Sequence, residues 1–223
     1  MRLERGLFAE GHQFVGGIDE VGRGAWAGPL VVAIVVMAAS SPRLPAGVRD
    51  SKELSPRARS ALAPELRTWC AAWSLGVTGP GEIDRLGMSR ALTVAARRAL
   101  GGLGAVAPDA LIVDGPTNFV EADARDVRSE RADHSGVPRH SLRVITRVGA
   151  DATCGTVAAA SIIAKVARDG LMDDLARGVP HYGFERHKGY GTSEHEAAIA
   201  RHGLTPFHRR SWSFVDRLRA DTA

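Results

Sequence analysis

An unbroken apolar run over residues 30–37, dense in valine and isoleucine, limits the possible folds of this chain more than any other segment. It is far shorter than the roughly 20 residues that a membrane-spanning helix needs. β-Branched residues favour strands, and an apolar strand without polar alternation is buried on both faces. The run therefore predicts an internal strand in a sheet that is flanked by helices.

The rest of the chain predicts an α/β fold. Apolar segments predict further strands over residues 14–21, 72–78, 110–113 and 142–146. Capping residues and helical patterns predict helices over about 56–69 after Ser55, 82–100, 153–176, the segment from Ser193 to Gly203, and 212–219. Because the early strands are hairpin-like and the later ones alternate with helices, we expect a mixed sheet.

Composition excludes several classes of protein. Hydrophobic residues make up 44% of the 223 residues, which is average for a globular protein. No linker or repeat divides the chain, so we expect one domain over 1–223, with an α/β core at about 14–178 and a helical C-terminal extension at about 190–223. Cys70 and Cys154 are too few for a disulfide framework or a zinc ribbon. The charged N-terminus lacks a signal-peptide pattern, so the expected location is cytoplasmic.

Acidic residues lie at the ends of three predicted strands. Asp19 and Glu20 lie near the end of the first, Asp114 closes the fourth, and Asp151 follows the fifth. Carboxylates gathered at one edge of a sheet suit hard divalent cations, and two such ions can support phosphodiester hydrolysis. Any one of them could simply cap a turn or a helix, so the hypothesis depends on the joint pattern. Asp19 is the safer ligand, because Glu20 points to the opposite face unless the strand ends or bulges there.

Other motifs could contact a polyanion, and each has an ordinary structural alternative. Gly22-Arg23-Gly24 allows a backbone approach to a sugar or phosphate, or forms a plain turn. Lys52 contacts a phosphate or lies in a solvated turn, and Tyr190 stacks on a sugar or base or packs on the core. The basic cluster at 208–212 contacts phosphates or begins a solvated helix. The net charge of +4, from 29 Lys and Arg against 25 Asp and Glu, is compatible with a polyanionic partner.

Two further features receive no functional assignment. The loop that contains Asp123, Asp126 and Glu130 is interspersed with arginines, which favours a solvated, self-neutralising loop over a metal site. Cys154 lies near Asp151 but has no partner that would specify thiol chemistry, so we expect a small buried filler.

Five motifs in one order resemble those of the bacterial ribonuclease HII family, the type 2 ribonucleases H. They are Gly17-Ile18-Asp19-Glu20-Val21-Gly22-Arg23-Gly24, Asp50-Ser51-Lys52, Val113-Asp114-Gly115, Ala150-Asp151 with helix residues 157–169, and Lys188-Gly189-Tyr190-Gly191. The resemblance spans about residues 16–212 and implies a ribonuclease H-like fold. It also implies a metal-dependent endonuclease, a hydrolase that cuts the RNA strand of RNA–DNA hybrids. Such enzymes nick 5′ of a single ribonucleotide in duplex DNA, leave a 3′-hydroxyl and a 5′-phosphate, and act in ribonucleotide removal.

The resemblance implies a role for each matching residue. The residues that would bind two Mg²⁺ or Mn²⁺ ions during catalysis are Asp19, Glu20, Asp114 and Asp151. The backbone of Gly22, Arg23 and Gly24 would sense the ribose 2′-hydroxyl. Lys52 would contact a phosphate, and Tyr190 would pack on the sugar at the RNA–DNA junction.

Two comparisons within the resemblance refine it. Ribonuclease HIII relatives typically carry an extra N-terminal domain and lack this tyrosine, so Tyr190 favours the junction-cutting branch. Many members carry a lysine two residues before the last aspartate, where this chain has Gly149. The change removes a positive charge, which could weaken phosphate binding or shift the metal preference.

The expected partners are RNA–DNA hybrids and DNA duplexes that contain ribonucleotides, with a monomeric protein and no membrane association. A replication or repair partner is left open. Two alternatives remain: a ribonuclease H-like nuclease that acts on DNA, such as a resolvase or transposase core, and a catalytically silent hybrid-binding module. The four carboxylates argue against the silent module, because a binder gains nothing from repelling phosphates.

Overall fold

The computed structural model describes residues 1–120 and 142–215, whose strands form one mixed sheet. The strands are β1 (Phe14–Val21), β2 (Leu30–Ala38), β3 (Ala72–Thr78), β4 (Ala110–Asp114) and β5 (Arg143–Arg147). They lie in the order β3-β2-β1-β4-β5. β2 is antiparallel to both of its neighbours, whereas β1, β4 and β5 run parallel. The predicted mixed α/β sheet is therefore confirmed.

Helices cover both faces of this sheet. They are α1 (Arg2–Ala9), α2 (Pro56–Trp69), α3 (Pro80–Leu86), α4 (Met88–Gly101), α5 (Ala150–Thr153), α6 (Gly155–Gly178), α7 (Phe184–His187) and α8 (Ser193–His202), with 3-10 turns at Ser51–Glu53 and Pro180–Tyr182. One apolar core lies between the sheet and α1, α2 and α6, and a second lies between the sheet and α3 and α4. The apolar run at 30–37 is buried throughout, as predicted. None of the helices in the described ranges is long and apolar enough to cross a membrane.

Alternation along β1 sends successive side chains to the two cores. Val15 packs in the core beneath α6, and Ile18 packs in the core beneath α4. Gly17 shares the face of Val15, and a Cβ added there would lie 2.4 Å from the backbone carbonyl carbon of Thr156. Only glycine permits so close an approach. The start of α6 therefore lies directly on β1, two residues before Asp19.

The first helix, α1, was not predicted, because its sequence reads as a short polar start. Glu4 in this helix is fully buried, and its Oε1 accepts hydrogen bonds from the Thr156 backbone N–H at 3.1 Å and the Thr156 hydroxyl at 3.2 Å. Cys154, the N-cap residue of α6, makes no side-chain capping bond. Glu4 thus satisfies a helix-start donor that the local sequence leaves free.

Other helix boundaries differ from the predictions in three places. The helix predicted over 82–100 is two helices, because Gly87 has φ 74° and ends α3 before α4 begins. The long helix is preceded by the separate turn α5. The cap of α8 is Thr192, one residue before the predicted Ser193, and Thr192 accepts from the His195 backbone N–H.

Some predictions fall outside the described residues. The helix predicted over 212–219 begins at Ser213, and its part beyond residue 215 is not covered. The acidic loop with Asp123, Asp126 and Glu130 lies wholly outside the described ranges.

We predict that Gly17→Ala lowers the free energy of unfolding by about 2–3 kcal/mol, because the added methyl group meets helix backbone that has no room to yield. Gly170→Ala is the matched control: this glycine lies within α6 with open space at its Cβ, so alanine should raise stability by up to about 1 kcal/mol. Urea denaturation of both variants gives the two values. Equal stabilities of the two variants would contradict the close contact between β1 and α6.

Candidate active site

Three aspartates lie near one another at one edge of the sheet. Ile18 pairs with Val113 in the parallel ladder of β1 and β4, so the residues that follow, Asp19 and Asp114, lie side by side. Asp151 lies in α5, just after β5, and the backbone N–H of the preceding Ala150 donates to Asp114 Oδ1 at 2.8 Å. The structure therefore brings together the strand-end aspartates that the sequence singled out.

Asp19 and Glu20 point to opposite faces of β1. Asp19 is only 7% exposed and faces α6, where Ser161 lies beside it. Glu20 lines a cleft of about 330 Å³ with Asp114 and residues of α4. β1 continues without a bulge through Val21, so the two side chains stay on opposite faces. Asp114, at the end of β4, lies near both of them: it lines the cleft with Glu20 and its charge acts on Asp19.

Burial and mutual repulsion disfavour the charged forms of these carboxyls. Burial, followed by the charge of Glu20, raises the pKa of Asp19 to about 7 from its ordinary value of 3.8. Burial also raises the pKa of Glu20. The charge of Arg23 and its 3.4 Å hydrogen bond to Glu20 lower this pKa but do not cancel the rise. The charge of Asp114 acts on both residues in the same direction. This edge therefore favours added positive charge.

Lys52 supplies one positive charge at this edge. Its turn packs on α6 through the Ser51 and Ser161 hydroxyls, 2.7 Å apart. Lys52 Nζ donates to Asp151 Oδ2 at 3.3 Å, while 78% of the side chain stays exposed. Partial burial is the largest single cause and lowers the pKa of Lys52, but the hydrogen bond and charge of Asp151, together with the charges of Asp50 and Asp19, outweigh it and raise the pKa overall. An exposed ammonium beside the acidic edge is available to a phosphate.

The donor set fits a hard divalent cation by its chemistry. All four side chains offer carboxylate oxygens, the ligands that Mg²⁺ and Mn²⁺ prefer. Over residues 1–120 and 142–215, no three His, Cys, Asp or Glu side chains already stand close enough to hold a metal ion. Closing the set around an ion would require side-chain movement, such as release of Asp151 from Lys52.

The loop of residues 22–24 lies beside the acidic edge, and the buried Arg209 side chain hydrogen-bonds to its backbone. This arginine is fully buried, and its guanidinium donates to the carbonyls of Gly22 at 2.6 Å, Arg23 at 2.9 Å and Gly28 at 3.1 Å. Burial, with repulsion from Arg168, lowers the pKa of Arg209 to about 9. Because a buried guanidinium must keep its acceptors, Arg209 restrains the loop.

A second buried arginine, Arg168, joins this loop to the tyrosine segment. Its guanidinium donates to the carbonyls of Ala27, Pro29 and Lys188. Gly22 has φ 94°, and a Cβ there would lie 2.1 Å from Arg168 Nε, so glycine is required. The ring centroid of Tyr190 lies 5.3 Å from Arg168 Cζ. We call residues 22–24 and 188–191 together the recognition surface.

Backbone contacts complete this surface. The carbonyl of Gly189 accepts hydrogen bonds from Trp26 N at 2.8 Å and Ala27 N at 3.1 Å. The Tyr190 side chain is 37% exposed, so one part of the ring packs on the protein and another part faces solvent. Residues 26 and 27, just after the 22–24 loop, are thus hydrogen-bonded to the Tyr190 segment, although the two segments lie far apart in sequence.

The first two residues of the basic cluster at 208–212 fit neither role considered for it, whereas Arg210 is exposed. His208 and Arg209 are buried, and Arg209 binds backbone carbonyls rather than solvent. Sequence reasoning missed the structural roles of Arg168 and Arg209, because an arginine-rich chain gives no local signal for which guanidinium is buried. Only the folded structure shows that these two arginines contact the backbone of the glycine-containing segments.

Gly149 replaces the lysine expected from the resemblance. It has φ 69° and precedes α5, a left-handed conformation that favours glycine. Its neighbour Val148 is 75% exposed. The turn that presents Asp151 therefore has a local reason for glycine at this position.

Comparisons with known proteins agree with this geometry. Residues 16–215 match the family model described as Ribonuclease HII. A ribonuclease HII from Streptomyces avermitilis is 43% identical over 219 residues, which cover 97% of this chain and 84% of the relative. The fold resembles ribonuclease H2 from Pyrococcus horikoshii, with a TM-score of 0.74, 28% identity, and coverage of 93% of this chain and 98% of that one.

A further solved structure is the complex of PCNA with ribonuclease HII from Archaeoglobus fulgidus. It matches with a TM-score of 0.70 and 30% identity, covering 92% of this chain and 96% of that one. The mixed sheet with its flanking and C-terminal helices is thus a ribonuclease H-like fold. The chain belongs to the ribonuclease HII family, whose members are metal-dependent nucleases that hydrolyse RNA in RNA–DNA hybrids.

Proposed function

We propose that this protein also nicks DNA duplexes 5′ of a single embedded ribonucleotide and leaves a 3′-hydroxyl and a 5′-phosphate. The observation that carries the proposal is that Arg168, packed against Gly22, and the bonds to Gly189 O join the segment directly after the 22–24 loop to the Tyr190 segment. A loop that contacts a ribose and a ring that packs on the adjacent sugar must be held at a constant separation to read one junction. This arrangement would serve removal of ribonucleotides from DNA.

We propose that the acidic edge is the catalytic centre. The side chains that would hold two divalent ions, Mg²⁺ or Mn²⁺, are those of Asp19, Glu20, Asp114 and Asp151. Such ions, when bound, activate water and stabilise charge on the leaving oxygen. Asp19 would lie between the others because it is buried against α6, and Glu20 would approach from the cleft. Lys52 would turn its exposed ammonium from Asp151 to a substrate phosphate.

The 22–24 loop would contact the ribose through backbone groups. Its Gly22 and Arg23 carbonyls accept from Arg209, so we expect the N–H groups of the loop to meet the 2′-hydroxyl oxygen. A Cβ added at Gly24 would meet no heavy atom within 4 Å, which leaves room for a sugar. A 2′-hydroxyl is what distinguishes RNA from DNA at a single nucleotide. Tyr190 would pack on the neighbouring deoxyribose.

We also propose a single domain over 1–223 that acts as a monomer in the cytoplasm. The helical C-terminal segment packs Phe214 on Trp26, 4.3 Å between ring centroids, which supports one folding unit within the described residues. Both cysteines are free, as expected for a reducing compartment. The Archaeoglobus fulgidus structure contains PCNA, so a replication partner is a further proposal.

The first experiment is cleavage of an end-labelled DNA duplex with one ribonucleotide. We expect one nick, on its 5′ side, in Mg²⁺ or Mn²⁺ and none in chelator. An all-DNA duplex of the same sequence is the control, and its cleavage would indicate the nuclease that acts on DNA. Binding without any cleavage would indicate the silent module, while cleavage of long hybrid alone would remove the junction role from Tyr190 and the 22–24 loop.

We predict that Asp19→Asn abolishes cleavage but stabilises the metal-free fold above pH 7. The folded pKa of Asp19 is raised to about 7 from 3.8, so ionised Asp19 destabilises the fold above pH 7, and this cost disappears as the pH falls toward 4. The gain at pH 8 should be on the order of 2–4 kcal/mol.

Denaturation in chelator at pH 8 and pH 5 measures this difference. Asp174→Asn, on an exposed ion pair with Arg177, is the control and should change neither activity nor stability. A folded Asp19→Asn protein that still cleaves would contradict the catalytic role.

We predict that Tyr190→Ala lowers activity on the single-ribonucleotide duplex about tenfold more than on a long hybrid, because it removes a stacking contact at the junction. Tyr190→Phe keeps the ring and should keep the preference. The measurement is kcat/KM for both substrates with each variant. Equal losses on both substrates would mean that Tyr190 is structural.

A further inference from the structure

Two buried histidines lie beneath the recognition surface, away from the acidic edge. His195 in α8 is 0% exposed and His208 is 1% exposed. Their Nε2 atoms are 3.1 Å apart. His195 Nδ1 lies 3.0 Å from the carbonyl oxygen of Tyr190, and His208 Nδ1 lies 3.0 Å from the backbone nitrogen of Thr205. All four ring nitrogens therefore have partners.

These partners determine one tautomer for each ring. The Tyr190 carbonyl can only accept, so the proton of His195 is on Nδ1 and its Nε2 is an acceptor. The Thr205 backbone N–H can only donate, so His208 Nδ1 is an acceptor and its proton is on Nε2. His208 Nε2–H then donates to His195 Nε2. The hydrogen bonds run in one direction, from Thr205 through both rings to Tyr190.

The surroundings keep both rings neutral. Burial is the main cause that lowers the pKa of each histidine to about 4, and positive charge on neighbouring imidazoles lowers it further. His187 stacks on His195 at 4.5 Å, and Arg210 and Glu194 are the charged groups that act on the pair. A second proton on either ring would place two N–H groups against each other and break the chain of hydrogen bonds.

The position of Tyr190 needs such a restraint. Gly189 and Gly191 flank it, and glycine gives the backbone its greatest conformational freedom. The bond from His195 holds the carbonyl of Tyr190 itself. His208 is followed directly by Arg209, whose guanidinium holds the 22–24 loop. The histidine pair thus links the Tyr190 backbone to the segment that restrains the other half of the recognition surface.

We propose that His195 and His208 are positioning residues that set the preference for RNA–DNA junctions by fixing the Tyr190 backbone relative to the 22–24 loop. The proposal rests on the proposed role of Tyr190. Neither histidine touches the substrate, and both act through hydrogen bonds to the backbone. An ordinary core role would instead affect both substrates equally, through stability.

Two variants of the same size separate these roles. In His195→Asn the amide nitrogen takes the place of Nδ1 and still donates to Tyr190 O, whereas His195→Leu has the same shape without a donor. Both lose the contact with His208, so both lose stability. We expect His195→Leu to lower the ratio of kcat/KM for the junction duplex over the long hybrid about tenfold, and His195→Asn to retain most of it.

The outcomes separate this proposal from the proposed function. A wild-type protein without junction preference overturns both. A wild-type preference that Tyr190→Ala removes and His195→Leu keeps overturns the positioning role alone. Equal losses of the ratio in His195→Asn and His195→Leu also overturn it, because the donor to Tyr190 would then be irrelevant.

A measurement on the unmodified protein keeps the proposal testable if a variant does not fold. Nitrogen-15 NMR of the imidazole rings at pH 7 reports which nitrogen carries the proton. We expect an Nδ1–H tautomer for His195 and an Nε2–H tautomer for His208, with no titration near pH 6.5. The opposite tautomers, or a charged ring at pH 7, would contradict the network.

Discussion

The burial of two guanidinium groups against backbone carbonyls is the interaction on which the recognition surface depends. Arg168 and Arg209 are both fully buried, and carbonyl oxygens of residues 22, 23, 27–29 and 188 accept hydrogen bonds from their guanidinium groups. Removing a charged group from water costs several kcal/mol unless its donors are satisfied. Any rearrangement of these loops would leave a buried cation without acceptors. The loops of the recognition surface are therefore rigid because of the two arginines packed beneath them.

The helix α6 connects this surface to the acidic edge. Its first turn lies on β1 at Gly17, its middle carries Ser161 beside Asp19, and its later part carries Arg168. One rigid element thus sets the distance between the carboxylates and the recognition surface. Glu4, from a helix far away in sequence, satisfies the start of α6. The proposed cleavage beside one nucleotide would require this kind of constant separation.

Local sequence patterns predict those features that depend on residues close together in the chain. The strand ends placed Asp19 and Asp114 correctly, and the period of two correctly sent Glu20 to the other face. Sequence reasoning missed Glu4, Arg168 and the break at Gly87, because each depends on a partner distant in the chain: the start of α6, the carbonyls of two loops, and a left-handed turn between two helices. Local sequence patterns likewise cannot predict how the carboxylates close around an ion, because that closure depends on side-chain rotation.

The raised pKa of Asp19 and the lowered pKa values of His195 and His208 make the free energy of unfolding depend on pH. Between pH 4 and 6.5, unfolding lets His195 and His208 each take up a proton, because their folded pKa values of about 4 lie below 6.5. Asp19 releases one over the same range, because its folded pKa of about 7 lies above 3.8. For these three groups the net uptake is one proton, so the free energy of unfolding rises with pH by about 1.4 kcal/mol per unit. A cation at the acidic edge would cancel the contribution of Asp19 by lowering its pKa. The histidine contribution would remain, because those rings lie beneath the recognition surface and away from that edge.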